Sequence, residues 1–231
     1  MPPEPPTTLR FERKYVVTGA AASQSAIAML LRIHPALFSE LYHERWVNSV
    51  YFDTVDHRHY SDSEAGLSDR QKVRIRWYGA VSDPVLKPVL EVKVKHNALG
   101  RKSRCPLGDA SLEELLGPDR ALGQVQGSRW PPAARLVLHG LRPSLLNRYR
   151  RRYYLSACGR FRVTADTDLE FSDPLAGVRM GLTRLVIPAT AIVELKYAVE
   201  HDTMAREVSN RFPFRVDRNC KYLVGRQCLR A

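Results

Sequence analysis

The chain has 231 residues, 44% of them hydrophobic, a composition that suits a folded domain with a sizeable core and excludes a disordered or fibrous chain. Lysine and arginine total 36 against 24 acids, a formal charge of +12 that points to a polyanionic partner: nucleic acid, phosphorylated small molecules, an inorganic phosphate polymer or an anionic membrane face. No apolar run approaches the ~18 residues of a membrane span, nothing at the N-terminus reads as a signal peptide, and Cys105, Cys158, Cys220 and Cys228 form no CxxC pair, so a reducing cytoplasm with free thiols is expected.

In chain order, residues 1–8 are proline-rich and expected to be disordered, and residues 9–231 are expected to form a single domain. Leu9 to Val17 reads as a strand. Ala20 to Leu41 contains an amphipathic helix with Ile27, Leu30, Leu31, His34 and Leu37 on one side, ended or kinked by Pro35. With no second ligand at a matching helical spacing, His34 reads as a packed core histidine. Strands follow at Val47 to Thr54 and Gln71 to Gly79, with His57 and His59 flanking Arg58 in a loop between them. Val89 to Lys95 and Ser103 to Leu107 read as a hairpin around the turn-prone His96 to Gly100.

A helical insertion is expected at about 109–143, opened by Ser111 and Glu114 as a capping box. Three more strands are predicted at Asn147 to Leu155, Phe161 to Leu169 and Ala191 to Ala198. A helix capped by Thr203 runs through Arg211, stopped by Pro213, and a last helix spans Asn219 to Leu229.

Four of the strands alternate apolar with charged residues: Val73 to Trp77, Leu90 to Lys95, Phe161 to Asp166 and Val193 to Tyr197. Period two sends successive side chains to opposite faces. Arg74, Arg76, Lys93, Lys95, Arg162, Glu194 and Lys196 are thus predicted to share one face, and Val73, Ile75, Val92, Val94, Val163, Val193 and Leu195 the other. Alternation alone is equally satisfied by a half-buried sheet wetting its polar side. A phosphate ligand would have to be held by side chains, because the chain lacks the GxxxxGKS and GxGxxG loops that present helix N-termini to phosphate. Arginine suits that task through its bidentate fork and lysine through its compact charge. No GxSxG or partnered cysteine–histidine nucleophile is evident.

Phe11-Glu12-Arg13-Lys14-Tyr15, Tyr51-Phe52-Asp53-Thr54, Lys72 to Gly79, Leu90 to Lys93, Lys102-Ser103-Arg104, Arg162 to Thr167, Glu194-Leu195-Lys196 and Lys221-Tyr222 form an ordered series. In order and rough spacing it resembles the VTC domain, the polyphosphate polymerase domain of the vacuolar transporter chaperone complex and its bacterial relatives, within the triphosphate tunnel or CYTH-like group. The resemblance implies an α+β fold whose antiparallel β-barrel forms an open-ended tunnel with helices packed outside. It places Lys14, Arg74, Arg76, Lys93, Lys102, Arg151, Arg162 and Lys221 on phosphate-binding positions, with Lys72 at the head of the same motif and Arg218 where another basic residue is common. Within the run Arg148 to Arg152, the tunnel-facing arginine could be a neighbour of Arg151.

Glu194 falls on the metal-binding carboxylate, which implies Mg²⁺ or Mn²⁺ as cofactor, ATP and inorganic polyphosphate as partners, and transfer of the γ-phosphoryl group of ATP to a growing chain. The wider group opens on an ExExK strand. Here Arg10 replaces the first acid, which favours the polymerase branch over an inorganic triphosphatase. A non-catalytic polyphosphate- or RNA-binding module is the third reading, with tyrosines in the Arg148 to Tyr154 segment suited to base stacking.

Overall fold

The computed structural model describes residues 10–81, 84–96, 99–116, 132–174, 185–217 and 220–230. The expected disordered start and Arg218 lie outside that set. Nine strands are described: β1 (Arg10–Thr18), β2 (Phe38–Asp53), β3 (Arg70–Tyr78), β4 (Val89–His96), β5 (Leu99–Pro106), β6 (Arg142–Ser156), β7 (Arg162–Ser172), β8 (Leu185–Ile187) and β9 (Thr190–Ala198). The described helices are α1 (Gln24–Ile33), α2 (Arg58–Glu64), α3 (Leu112–Leu116), α4 (Pro132–Leu138), α5 (Asp202–Asn210) and α6 (Lys221–Cys228). The strands hydrogen-bond in the order β1-β9-β7-β6-β2-β3-β4-β5, with β8 on β7. The β1–β9, β7–β9, β2–β3, β3–β4 and β4–β5 ladders are antiparallel, so the α+β class holds.

The chain divides into two compact units, and β2, β6 and β7 each contribute residues to both. The first comprises residues up to Arg45, Tyr149–Leu169 and Ile187–Asn219. Its core is built from the apolar alternates of β1, β7 and β9, with Tyr15, Val17, Val163, Val193 and Leu195 closed over by Ile27 and Leu31 of α1. Ser23 caps α1 by accepting from Ala26 N, a bond worth about 1 kcal/mol. His34 is buried, as expected, with Nε2 at 3.1 Å from Val208 O. Leu37 departs from the expected apolar stripe: α1 stops at Ile33, and beyond Pro35 the chain turns at Leu37, which is itself left-handed and exposed.

The second unit comprises Trp46–Arg148, Glu170–Val186 and Cys220–Ala231. Val50, Phe52, Val73, Ile75, Trp77 and Leu90 pack with Leu115 and Leu138 of the helical insertion. The capping box opens α3 reciprocally: Glu114 N donates to Ser111 Oγ and Ser111 N to Glu114 Oε2. The β4–β5 hairpin is tighter than expected, because pairing runs to His96↔Leu99.

Two helix starts also differ from expectation. Asp202 begins α5, so Thr203 lies inside the helix, and the N-cap residue His201 makes no side-chain cap hydrogen bond. His59 lies in a helix rather than a loop. Asp53, at the end of β2, organises α2 by accepting from His59 N at 2.8 Å and Tyr60 N at 3.0 Å.

Candidate active site

In the first unit, the β1–β9–β7 ladder sets two rows of polar side chains side by side. Lys14 pairs with Glu194, which pairs in turn with Thr164; Glu12 pairs with Lys196, which pairs with Arg162. Since all six occupy same-parity positions, they share the face opposite Tyr15, Val163, Val193 and Leu195. Glu194 is the hub and is 6% exposed. Lys196 Nζ lies 2.7 Å from its Oε2, Lys14 Nζ 3.3 Å from its Oε1, and an Arg151 terminal nitrogen 3.6 Å away. Lys14 Nζ is also 3.0 Å from Glu12 Oε1, so a single ammonium sits between two carboxylates.

Of the arginines at 148–152, Arg151 is the one placed beside Glu194. Two of its nitrogens reach Asp166 at 2.5 and 2.7 Å, and Asp166 has no exposure. Burial alone would lower the Arg151 pKa, but Asp166 outweighs it and raises it well above the usual value, keeping the guanidinium charged. Arg148 instead pairs with Glu170 in the second unit, while Arg150 and Arg152 reach Glu44. Arg162 and Lys196 line a cleft of about 350 Å³ together with Arg160, Tyr197 and His201.

In the second unit the rows run across β3, β4 and β5. Lys72 is level with Lys93 and Lys102, and Arg74 is level with Glu91 and Arg104. Glu91 is 2% exposed. Arg74 approaches it at 2.6 Å, Lys102 at 2.7 Å, Arg104 at 3.1 Å and Arg76 at 3.7 Å. Burial alone would raise the Glu91 pKa; Arg74, Arg76 and Lys102 overwhelm that and hold the carboxyl far below its usual range. Lys102 shows the reverse balance. Loss of water pushes its ammonium down to about 8, with Arg74 and Arg104 adding to the push and Glu91 opposing it.

Tyr51 Oη accepts from Arg74, and Ser49 Oγ from Arg76, which fixes both guanidiniums from β2. Lys221 opens α6 directly after Cys220, whose Sγ lies 2.8 Å from Lys72 Nζ. Tyr222 holds that helix start in place: its ring stacks on Tyr51, and its hydroxyl donates to Asp53 and meets Ser144. Burial, then the Asp53 bond, raise the Tyr222 pKa, so the phenol stays protonated.

The expected residues therefore fall into two groups. Lys14, Arg151, Arg162 and Glu194 are together in the first unit; Lys72, Arg74, Arg76, Lys93 and Lys102 are together in the second, with Lys221 reached through Cys220. Sequence reasoning passed over Glu12 and Glu91 as site members, although both sit in the quoted motifs at the right parity for the polar face.

The donor set around Glu194 bears on a divalent cation through Glu12 and Glu194. Among the described residues no three His, Cys, Asp or Glu side chains cluster as an all-protein metal cage. Glu12 and Glu194 nevertheless offer hard oxygens that already hold a cationic group between them. Mg²⁺ is commonly bound by one or two carboxylates, with water and substrate phosphates completing its shell. The residues present fit such an ion.

Among solved structures, the chain is similar to PH1819 from Pyrococcus horikoshii, at 12% identity and TM-score 0.50 over 96% of this chain and 99% of that one, a likeness of fold alone. A chain of the Schizosaccharomyces pombe Mediator head module matches at 10% identity and TM-score 0.47, covering 87% of this chain and 90% of its own. The Pct1 RNA triphosphatase of the same yeast matches at 9% identity and TM-score 0.35, covering 88% and 77%. No curated protein matches in sequence. Among the described residues, no helix is long and apolar enough to cross a membrane. The model of the VTC domain family matches residues 9–230, almost the whole length, and the chain belongs to that family.

Proposed function

We propose that the chain is a polyphosphate polymerase, transferring the γ-phosphoryl group of ATP to the end of an inorganic polyphosphate chain within a basic tunnel. The observation that carries this reading is Glu194: a carboxylate 6% exposed, ringed by Lys14, Arg151 and Lys196 and sharing Lys14 with Glu12. Two carboxylates that share one cation beside basic side chains combine a cation holder with phosphate ligands, the pairing a phosphoryl-transfer site needs.

In this reading Arg162, Lys196 and Arg151 bind and orient phosphate oxygens near Glu194. In the second unit Lys72, Arg74, Arg76, Lys93, Lys102 and Lys221 hold further phosphates; Arg218, outside the described residues, is a further candidate phosphate ligand. Much of the catalysis is positioning and charge compensation, since two polyanions must approach in line. No protein base is required, because the attacking terminal oxygen is already ionised. Glu194 and Glu12 would hold the Mg²⁺ or Mn²⁺, which supplies charge neutralisation of the transferring group.

The alternative acceptor is water, as in an inorganic triphosphatase. Arg10 in place of the first acid of ExExK weighs against it. Incubating the purified chain with ATP and Mn²⁺ or Mg²⁺, then resolving the products on a gel, tests the reading. A ladder of phosphate polymer with matching ADP is expected; release of orthophosphate alone would move the assignment to hydrolysis, and no turnover would leave a binding module.

A further inference from the structure

Many cations of the first unit already hold an acid: Lys14 and Lys196 lie on Glu194, Arg151 on Asp166, and Arg150 and Arg152 on Glu44. Arg160 and Arg162 differ. Among the described residues neither makes an ion pair, and Arg160 reaches only Met204 Sδ, at 4.0 Å. Both line the cleft of about 350 Å³, together with Lys196 and His201, and no carboxylate lines it. Their placement is fixed by the β6–β7 turn. Gly159 turns the chain in the left-handed region, and Phe161, buried between the two arginines, exchanges bonds with Ser156: its N donates to Ser156 Oγ at 3.1 Å and its O accepts from Ser156 N at 2.9 Å. Lys196 joins the cleft to the carboxylate centre, since its Nζ lies 2.7 Å from Glu194 Oε2.

We infer that this cleft is a subsite for inorganic polyphosphate, in which a run of the chain continues outward from Arg162 and Lys196 along Arg160 and His201. Cations gathered without an acid among them repel one another, a cost that a bound polyanion relieves. Arg160, Arg162 and Lys196 can only donate hydrogen bonds, which suits a ligand whose every unit presents acceptors and does not suit the mixed edge of a nucleobase. The aromatic rings of the cleft offer a base little to stack on. Tyr197 is 3% exposed, with its hydroxyl held between Arg13 and Asp202, and the His201 ring faces Phe161. The inference rests on the reading of the Glu194 face as a phosphate site, and adds Arg160 and His201 to it.

The test measures binding of triphosphate, long-chain polyphosphate and an oligouridylate by calorimetry at one ionic strength, without divalent metal, for the wild type, Arg160→Glu and Arg160→Lys, with circular dichroism to confirm folding. Reversing the charge at Arg160 should weaken polyphosphate binding at least ~10-fold, while Arg160→Lys, which keeps the charge, should stay within about threefold of the wild type. Occupancy is read locally by NMR from the His201 imidazole resonance, identified as the one missing in His201→Gln. It should shift as polyphosphate is added to the wild type and stay in place with oligouridylate at the same phosphate concentration. That shift decides the matter if Arg160→Glu does not fold. Undiminished polyphosphate binding in a folded Arg160→Glu variant, or a stationary His201 signal, would overturn the inference, and an equal shift with oligouridylate would make the cleft a nucleic-acid site instead. Failure of the wild type to bind either triphosphate or polyphosphate would overturn the phosphate-site reading itself.

Discussion

The two carboxylate centres have similar surroundings and opposite chemical character. Glu194, in the first unit, shares the Lys14 ammonium with Glu12, and Asp166 lies just behind it on Arg151. Acids there nearly balance the bases, and one cation is held by two carboxylates. Glu91, in the second unit, meets Arg74, Arg76, Lys102 and Arg104, with Lys72 and Lys93 in the next row. Positive charge is in clear excess. A sheet face alternating in sequence can therefore be tuned, by the number of acids placed among its bases, either to retain a cation or to receive an anion.

The largest effect is expected at Arg151. Replacing it with alanine strands Asp166 as an uncompensated buried charge, and losing one partner of a buried pair costs about 3–5 kcal/mol. Denaturant unfolding should show this loss, and Arg151→Ala, Asp166→Asn should recover part of it. A full-stability Arg151→Ala variant would mean that the pair is not sequestered from water.

Arg76→Ala acts on the other centre. Arg76 is 7% exposed and anchored to Ser49, so alanine removes one pre-aimed phosphate ligand. Triphosphate binding should weaken by about 1.5–3 kcal/mol, the scale of a charge-assisted bond, with far less effect on adenosine. Equal effects on both ligands would detach Arg76 from the phosphate site.

The smallest effect is in pH. Lys102 titrates at about 8 in the ligand-free chain, so above that value an incoming phosphate must restore its proton. Triphosphate affinity should fall as pH rises through about 8, by no more than about tenfold per unit from one proton. For stability the sign is opposite: the folded pKa lies below the ordinary lysine value, the unfolded chain binds the extra proton, and this group favours folding more as pH climbs from 8 towards the ordinary value. A pH-independent affinity between 7 and 9, or one unaffected by Lys102→Met, would contradict the Lys102 assignment.

Much of the polar face could be read from alternation, because a half-buried ladder leaves a period-two trace. Arg74, Arg76 and Lys93 proved to share a face in one unit, as did Arg162, Glu194 and Lys196 in the other. Glu91 carried the same trace, but alternation reports which face a residue is on and not how many neighbours converge on it. That convergence comes from register: it is the pairing Arg74↔Glu91↔Arg104 that surrounds the carboxylate. Helix α2 left no usable pattern, because its start is organised by Asp53 on a preceding strand rather than by a side chain of its own first turn. The Ser111 and Glu114 box was legible because both halves are local.

In the proposed function Glu194 retains a metal for phosphoryl transfer while the surrounding bases hold phosphate. Glu194→Gln separates the two roles, since it removes the charge and keeps the shape. Turnover of ATP into polymer under saturating Mn²⁺ should fall at least ~100-fold, as metal-assisted charge stabilisation is worth several kcal/mol. Metal-free polyphosphate binding, measured on the same preparation, should persist or tighten. Unchanged turnover in Glu194→Gln, or loss of metal-free binding along with turnover, would contradict this division of roles.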